Sequence, residues 1–134
     1  MKALLDPAVK KIAIANAEHA PYGRAAVAAM QKAGVYEAVK HKLVLGENIS
    51  QAAQFVQSGA ADIGIIALSI AMSEPMRQAG VYWPIARESH PPLEQGAVLL
   101  KRSGAAAKAF HEWLKGPAAR AIFAKYGFAQ MNGK

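Results

Sequence analysis

Two periods of apolar spacing take turns along the chain. Compact apolar runs at Val9 to Ala15, Leu43 to Leu45 and Ala61 to Ala67, bounded by charge or glycine, predict strands. The third run is almost wholly apolar, which predicts a central strand covered on both faces. Gly80 to Ile85 predicts an edge strand, because Pro84 cannot donate to a ladder. Gly96 to Lys101 predicts the last strand. Helical spacing holds over Tyr22 to Ala33, Val35 to His41, Ile49 to Ser58, Ala105 to Leu114 and Ala118 to Tyr126. Gly34, Gly59 and Gly127 stand where helix C-caps belong. Leu68 to Met72 predicts a single helical turn, Glu74-Pro75 a break, and Ser89 to Pro92 a stiff extended connector. The order β-α-α-β-α-β-β-β-α-α predicts an α/β domain, a mostly parallel sheet flanked by helices.

The stretch that organises the rest is Lys11 to Ala26, KIAIANAEHAPYGRAA. It begins as a strand and ends as a helix, with Asn16 and Glu18 as candidate caps in the turn between them. A helix that starts beyond a strand's carboxyl end leaves its first N–H groups unpaired. Ligands of open α/β sheets sit there, and the helix dipole favours an anion. Tyr22 and Gly23 are therefore candidates to offer backbone N–H groups to a small oxyanion. The same device recurs at Gly46-Glu47-Asn48-Ile49-Ser50, where Asn48 stands at an N-cap. If the two strands are neighbours, both helix starts face one crevice. Neutral donors there would select an anion by size and protonation state. The spacing alone also fits two ordinary βα turns.

Composition narrows the choice. The 134 residues suit one domain, and 53% are hydrophobic against 19% charged, enough for a real core. Without cysteine there are no disulfides, thiolate metal sites or cysteine nucleophiles. The formal charge of +7 is spread in single residues and pairs, without aromatic interleaving, which argues against a nucleic-acid surface and for a solvated basic one that still attracts anions. Met1 to Pro7 carries no export signal. No apolar run reaches the roughly 18 residues of a membrane span, so no membrane insertion is expected. His19, His41, His90 and His111 are scattered, no paired acid–base set is visible, and no HExxH, GxSxG or phosphate-cradling loop occurs. Neither an enzyme, a metal site nor a cofactor is expected. His19, in the organising turn, is the one histidine on which a hydrolase or transferase reading could rest.

Three stretches carry a family resemblance: IAIANAEHAPYGRAA at Ile12 to Ala26, KLVLGENISQAAQFVQSGAADIGIIALS at Lys42 to Ser69, and FHEWLKGPAARAIFAKYGF at Phe110 to Phe128. The chain resembles the periplasmic molybdate-binding proteins of ABC transporters, of the type II periplasmic-binding-protein fold. HAPYGRAA and GENISQA, in that order and spacing, are the specific signals. The resemblance implies a binding protein that closes on molybdate or tungstate between two lobes and serves a transporter permease. Carried over by motif, Tyr22 and Ile49 would give backbone N–H groups to the oxyanion, with Gly23 and Asn48 as further candidates. A tyrosine that reaches the anion in some members aligns with Ala67, so that contact is missing.

On the same resemblance the chain corresponds to the second lobe plus the C-terminal helices, residues 1–134 as a single α/β domain, with the first lobe absent. Half an anion site and weakened affinity are then expected. A periplasmic location is implied by the resemblance alone. The faces bearing Phe110, Trp113 and Leu114, and Ile122, Phe123 and Tyr126, would lack their partner lobe. A homodimer, swapped through Ser89 to Lys101, is one way to cover them. The alternative is an effector-sensing domain of the same fold from a transcription regulator.

Overall fold

A computed structural model describes residues 1–129. They fall into two compact units, Met1–Leu93 and the residues from Glu94 on, where the length suggests one.

The first unit is built on three parallel strands, β1 (Ile12–Ala15), β2 (Leu43–Gly46) and β3 (Ile63–Gly64), in the order β2-β1-β3. Ile12 to Ala15 are all buried, as a middle strand requires. The central strand is therefore β1. The Ala61 to Ala67 run pairs only at Ile63 and Gly64, lies at an edge and is half-buried there. Its apolar length reflects packing more than ladder length. Ile65 still donates to the Ala13 carbonyl (2.9 Å) before the chain turns away at Ala67.

Alternation along β1 divides the helices between two faces. Ile12 and Ile14 pack with Ala26 and Met30 of α1 (Pro21–Lys32), with Val39 of α2 (Tyr36–Val39), and with Leu4 and Val9. Ala13 packs with Ala52 of α3 (Ile49–Gln57) and with Ala61, flanked by Phe55 and Val56. So α1 and α3 cover opposite faces. Small residues at Ala13, Ala52 and Ala53 bring α3 close to the sheet. At the amino-terminal edge the exposed Asp62 carboxylate accepts the N–H groups of Lys10 and Lys11, both at 2.8 Å. Those two bonds hold its pKa below the ordinary carboxylate value.

Beyond β3 lie α4 (Leu68–Ala71) and α5 (Glu74–Ala79). Glu74-Pro75 opens α5 where a break is expected from sequence. Proline is tolerated in a helix's first turn, where its missing N–H has no intrahelical partner to lose. Gly80 to Ile85 forms no strand, and neither does Gly96 to Lys101. Both have strand composition but no ladder partner among the described residues, and Val81, Trp83, Val98 and Leu100 are exposed.

The second unit carries α6 (Ala105–Leu114) and α7 (Pro117–Lys125), packed on each other. Phe110 stacks on Trp113, and Phe123 meets Phe128 edge to face. These four rings remain well exposed, as do Ile122 and Tyr126.

Candidate functional site

The carboxyl ends of β1 and β2 are adjacent: Ala15 pairs with Gly46, and Asn16 N–H donates to the Gly46 carbonyl at 2.7 Å. From these two ends α1 and α3 depart on opposite faces of the sheet. Both helix starts therefore border one edge, as the sequence requires for a shared crevice.

The first start is not capped by the residues that sequence singles out. The Asn16 side chain accepts from the Glu18 N–H (3.0 Å) and so closes its own turn, while its carbonyl accepts from Ala20 (2.9 Å). The N-cap of α1 is Ala20, which has no side chain to offer, and α1 begins at Pro21. The first helical bond is Arg24 N–H to the Ala20 carbonyl at 3.1 Å. Tyr22 and Gly23 are left with N–H groups that have no hydrogen-bond partner among the described residues. Gly23 is buried. A Cβ there would overlap the Ala15 carbonyl oxygen and stand 2.8 Å from the Ala15 carbonyl carbon and the Ala17 nitrogen. Glycine lets the first turn of α1 rest directly on the end of β1.

The second start is capped as expected, and the cap determines which donors remain. Asn48 Oδ1 accepts the Gln51 N–H at 3.0 Å, and Gln51 Oε1 accepts the Glu47 N–H at 2.6 Å. This is a reciprocal arrangement of the capping-box kind. Ala52 N–H donates to the Asn48 carbonyl at 3.2 Å. Ile49 and Ser50 then keep unpartnered N–H groups among the described residues. Asn48 uses its side-chain oxygen for the cap, so only its backbone N–H and amide NH₂ remain to offer. Ser50 is the donor that sequence reasoning missed. Its availability follows from Gln51 satisfying the cap, which no local signal shows.

Each start thus presents a pair of neutral donors, Tyr22 with Gly23 and Ile49 with Ser50. Helix dipoles add partial positive charge at both. The chemistry suits hydrogen bonding to a small anion. The His19 side chain is exposed and makes no hydrogen bond among the described residues. No cluster of three or more histidine or carboxylate groups suited to a metal occurs among them. Ala67, at the N-cap of α4, is buried and brings no hydroxyl. A shallow recess beside α1 is lined by Pro21, Arg24, Ala25, Pro91, Pro92 and Leu93. It includes none of the four free donors. No helix is long and apolar enough to cross a membrane among the described residues.

Residues 1–129 match the family model of bacterial extracellular solute-binding proteins. The chain is 42% identical over 128 residues to the molybdate-binding protein ModA of Rhodobacter capsulatus, covering 94% of this chain and 50% of that protein. It is 34% identical over 119 residues to ModA of Escherichia coli, covering 88% of this chain and 46% of that one. The chain spans about half the length of the curated relatives it matches. Among solved structures, the periplasmic molybdate-binding protein of Azotobacter vinelandii superposes with a TM-score of 0.85 at 30% identity, over 98% of this chain and 58% of that one. The fold is α/β with a parallel sheet flanked by helices, that of the type II periplasmic binding proteins, and the chain belongs to the bacterial extracellular solute-binding protein family.

Proposed function

We propose that the chain binds a tetrahedral oxyanion, molybdate or tungstate, as the second-lobe part of a substrate-binding protein that delivers it to an ABC-transporter permease. The observation that carries this is the pair of helix starts with N–H groups unpartnered among the described residues, Tyr22 with Gly23 and Ile49 with Ser50, at the adjacent carboxyl ends of β1 and β2. The first N–H groups of a helix have no intrahelical partner, and such an end favours an anion by direct hydrogen bonds and by the dipole. Tyr22 and Ile49 give the principal backbone N–H groups, and Gly23, Ser50 and Asn48 supplement them. The relatives' names supply the choice of anion.

The role is binding without catalysis, and the place is the periplasm, as it is for the Azotobacter vinelandii protein. One lobe supplies donors from one side, so affinity is weaker than that of a complete two-lobed site. The half-exposed Phe110, Trp113, Ile122, Phe123, Tyr126 and Phe128 pack against a second copy when the chain stands alone. An open aromatic side chain presents about 150–250 Å², so the five rings among these, each roughly two-fifths or more exposed, offer on the order of 400 Å². A standard interface takes ~800 Å² per partner. Light scattering tests this part, and a monomer at high micromolar concentration would overturn it.

Calorimetric titration with molybdate, against sulfate and phosphate, tests the binding reading. Saturable heat with molybdate in excess over the controls supports it. A folded sample giving no heat with molybdate or tungstate overturns it.

A further inference from the structure

Gly46 is the last residue of β2 and none of its atoms is among the proposed anion donors. It is buried, it pairs with Ala15, and its carbonyl accepts the Asn16 N–H. A Cβ on Gly46 would stand 2.7 Å from the Ala52 nitrogen, 3.1 Å from the Asn48 oxygen and 3.2 Å from the Ala52 Cα. All three are backbone atoms of the α3 start, so no side chain can swing aside to make room. On the other side of the pair, the α1 start at Gly23 rests on the Ala15 backbone. A continuous line of backbone contact therefore runs from the α1 start through Ala15 and Gly46 to the α3 start. Backbone packed this closely transmits a displacement instead of absorbing it.

We propose that Gly46 is a positioning residue for oxyanion binding: its missing side chain and its carbonyl fix the spacing between the Tyr22–Gly23 and Ile49–Ser50 donor pairs. This rests on the oxyanion reading above and extends it to specificity. Donors held at a fixed spacing discriminate between anions by size, and donors on loosened helix starts do not. A side chain at residue 46 moves the α3 start and strains the Asn16 bond, so both donor pairs respond although only one is touched.

The test compares Gly46→Ala with Gly64→Ala. The second variant is a control in the same sheet, where an added Cβ would overlap a Val56 methyl near the far end of α3, which costs stability, but would crowd no backbone atom of either helix start. Titration with molybdate and with sulfate gives a selectivity ratio for each variant, and amide resonances report each donor. Gly46→Ala is expected to weaken molybdate binding at least tenfold, to lower the molybdate-to-sulfate ratio, and to shift the Tyr22 and Gly23 amides in the absence of anion. Gly64→Ala, at comparable loss of stability, is expected to leave the ratio and those amides alone. An unchanged ratio with unmoved Tyr22 and Gly23 amides in Gly46→Ala overturns the proposal. Should Gly46→Ala not fold, the unsubstituted chain decides. On titration with molybdate, the Asn16 amide and Gly46 carbonyl resonances must move with the same midpoint as Tyr22 and Ile49, and resonances that stay fixed overturn the coupling. Absence of any molybdate response in the unsubstituted chain overturns the oxyanion reading and this proposal with it. Binding with an indifferent Gly46 overturns this one alone.

Discussion

Replacing Gly23 by alanine is the sharpest perturbation of the α1 start. The new methyl would overlap the Ala15 carbonyl oxygen and lie 2.8 Å from both the Ala15 carbonyl carbon and the Ala17 nitrogen. Carbon atoms rest about 3.5–4.0 Å apart, so relief requires a shift on the order of 1 Å. The contacts are backbone, and Ala15 lies in the central strand, so α1 must move. A 1 Å displacement takes a ~2.9 Å N–H···O bond out of hydrogen-bond range. Bonds to a charged acceptor contribute about 1.5–3 kcal/mol each. Losing the Tyr22 and Gly23 donors together then weakens anion binding by roughly 3–6 kcal/mol, more than a hundredfold in Kd. Overpacking costs stability as well, about 1–3 kcal/mol. Calorimetric titration with molybdate, paired with urea unfolding of the same sample, separates the two effects. Gly23→Ala that keeps both the affinity and the unfolding midpoint of the parent chain would refute the close packing of α1 on β1. Lost stability with full affinity would refute the assignment of the donors.

Other substitutions probe separate links. Asn48→Ala removes the α3 cap and should cost about 1 kcal/mol of stability, read as a lower urea midpoint. It should also weaken molybdate binding, because Ile49 and Ser50 then belong to a frayed turn. Met30→Ala empties a fully buried position between α1 and the sheet and should cost about 2–5 kcal/mol, the largest stability effect in this set, measured in the same unfolding experiment. Asp62 has a folded pKa below the ordinary 3.8, first through its bond from the Lys11 N–H and then through that from Lys10. The stability it contributes is fully present above that ordinary value and is lost as pH falls through the lowered folded value. Asp62→Asn should therefore flatten the acid side of a stability–pH profile, and an identical acid slope would count against the two bonds.

Helices were easier to read than strands because their signals are local. Gly34, Gly59 and Gly127 all adopt positive φ, of 68°, 74° and 75°, just beyond α1, α3 and α7. Each glycine is visible in sequence as a stop. A strand's length depends on the partner it finds. Ala61 to Ala67 has the composition of a buried central strand, yet pairs at two residues along the edge of a four-residue β1. Gly80 to Ile85 and Gly96 to Lys101 have the composition and no partner among the described residues.

The candidate site was legible to the same degree. Tyr22 and Ile49 stand in the first turn of helices that follow strands, and that much is sequence-local. Which donors stay free is decided by side-chain bonds, Gln51 to Asn48 and Glu47 at one start and Asn16 to Glu18 at the other. Gly46 reads only as a turn glycine until its distance to the Ala52 backbone is known.

The most direct measurement is the heat of mixing molybdate with the purified, folded chain, with sulfate and phosphate as controls. Saturation with molybdate at concentrations where the controls give none is expected, since neutral, fixed N–H pairs select by size. A flat titration with molybdate from a sample shown to be folded, or equal heats for all three anions, would contradict a selective oxyanion site at the two helix starts.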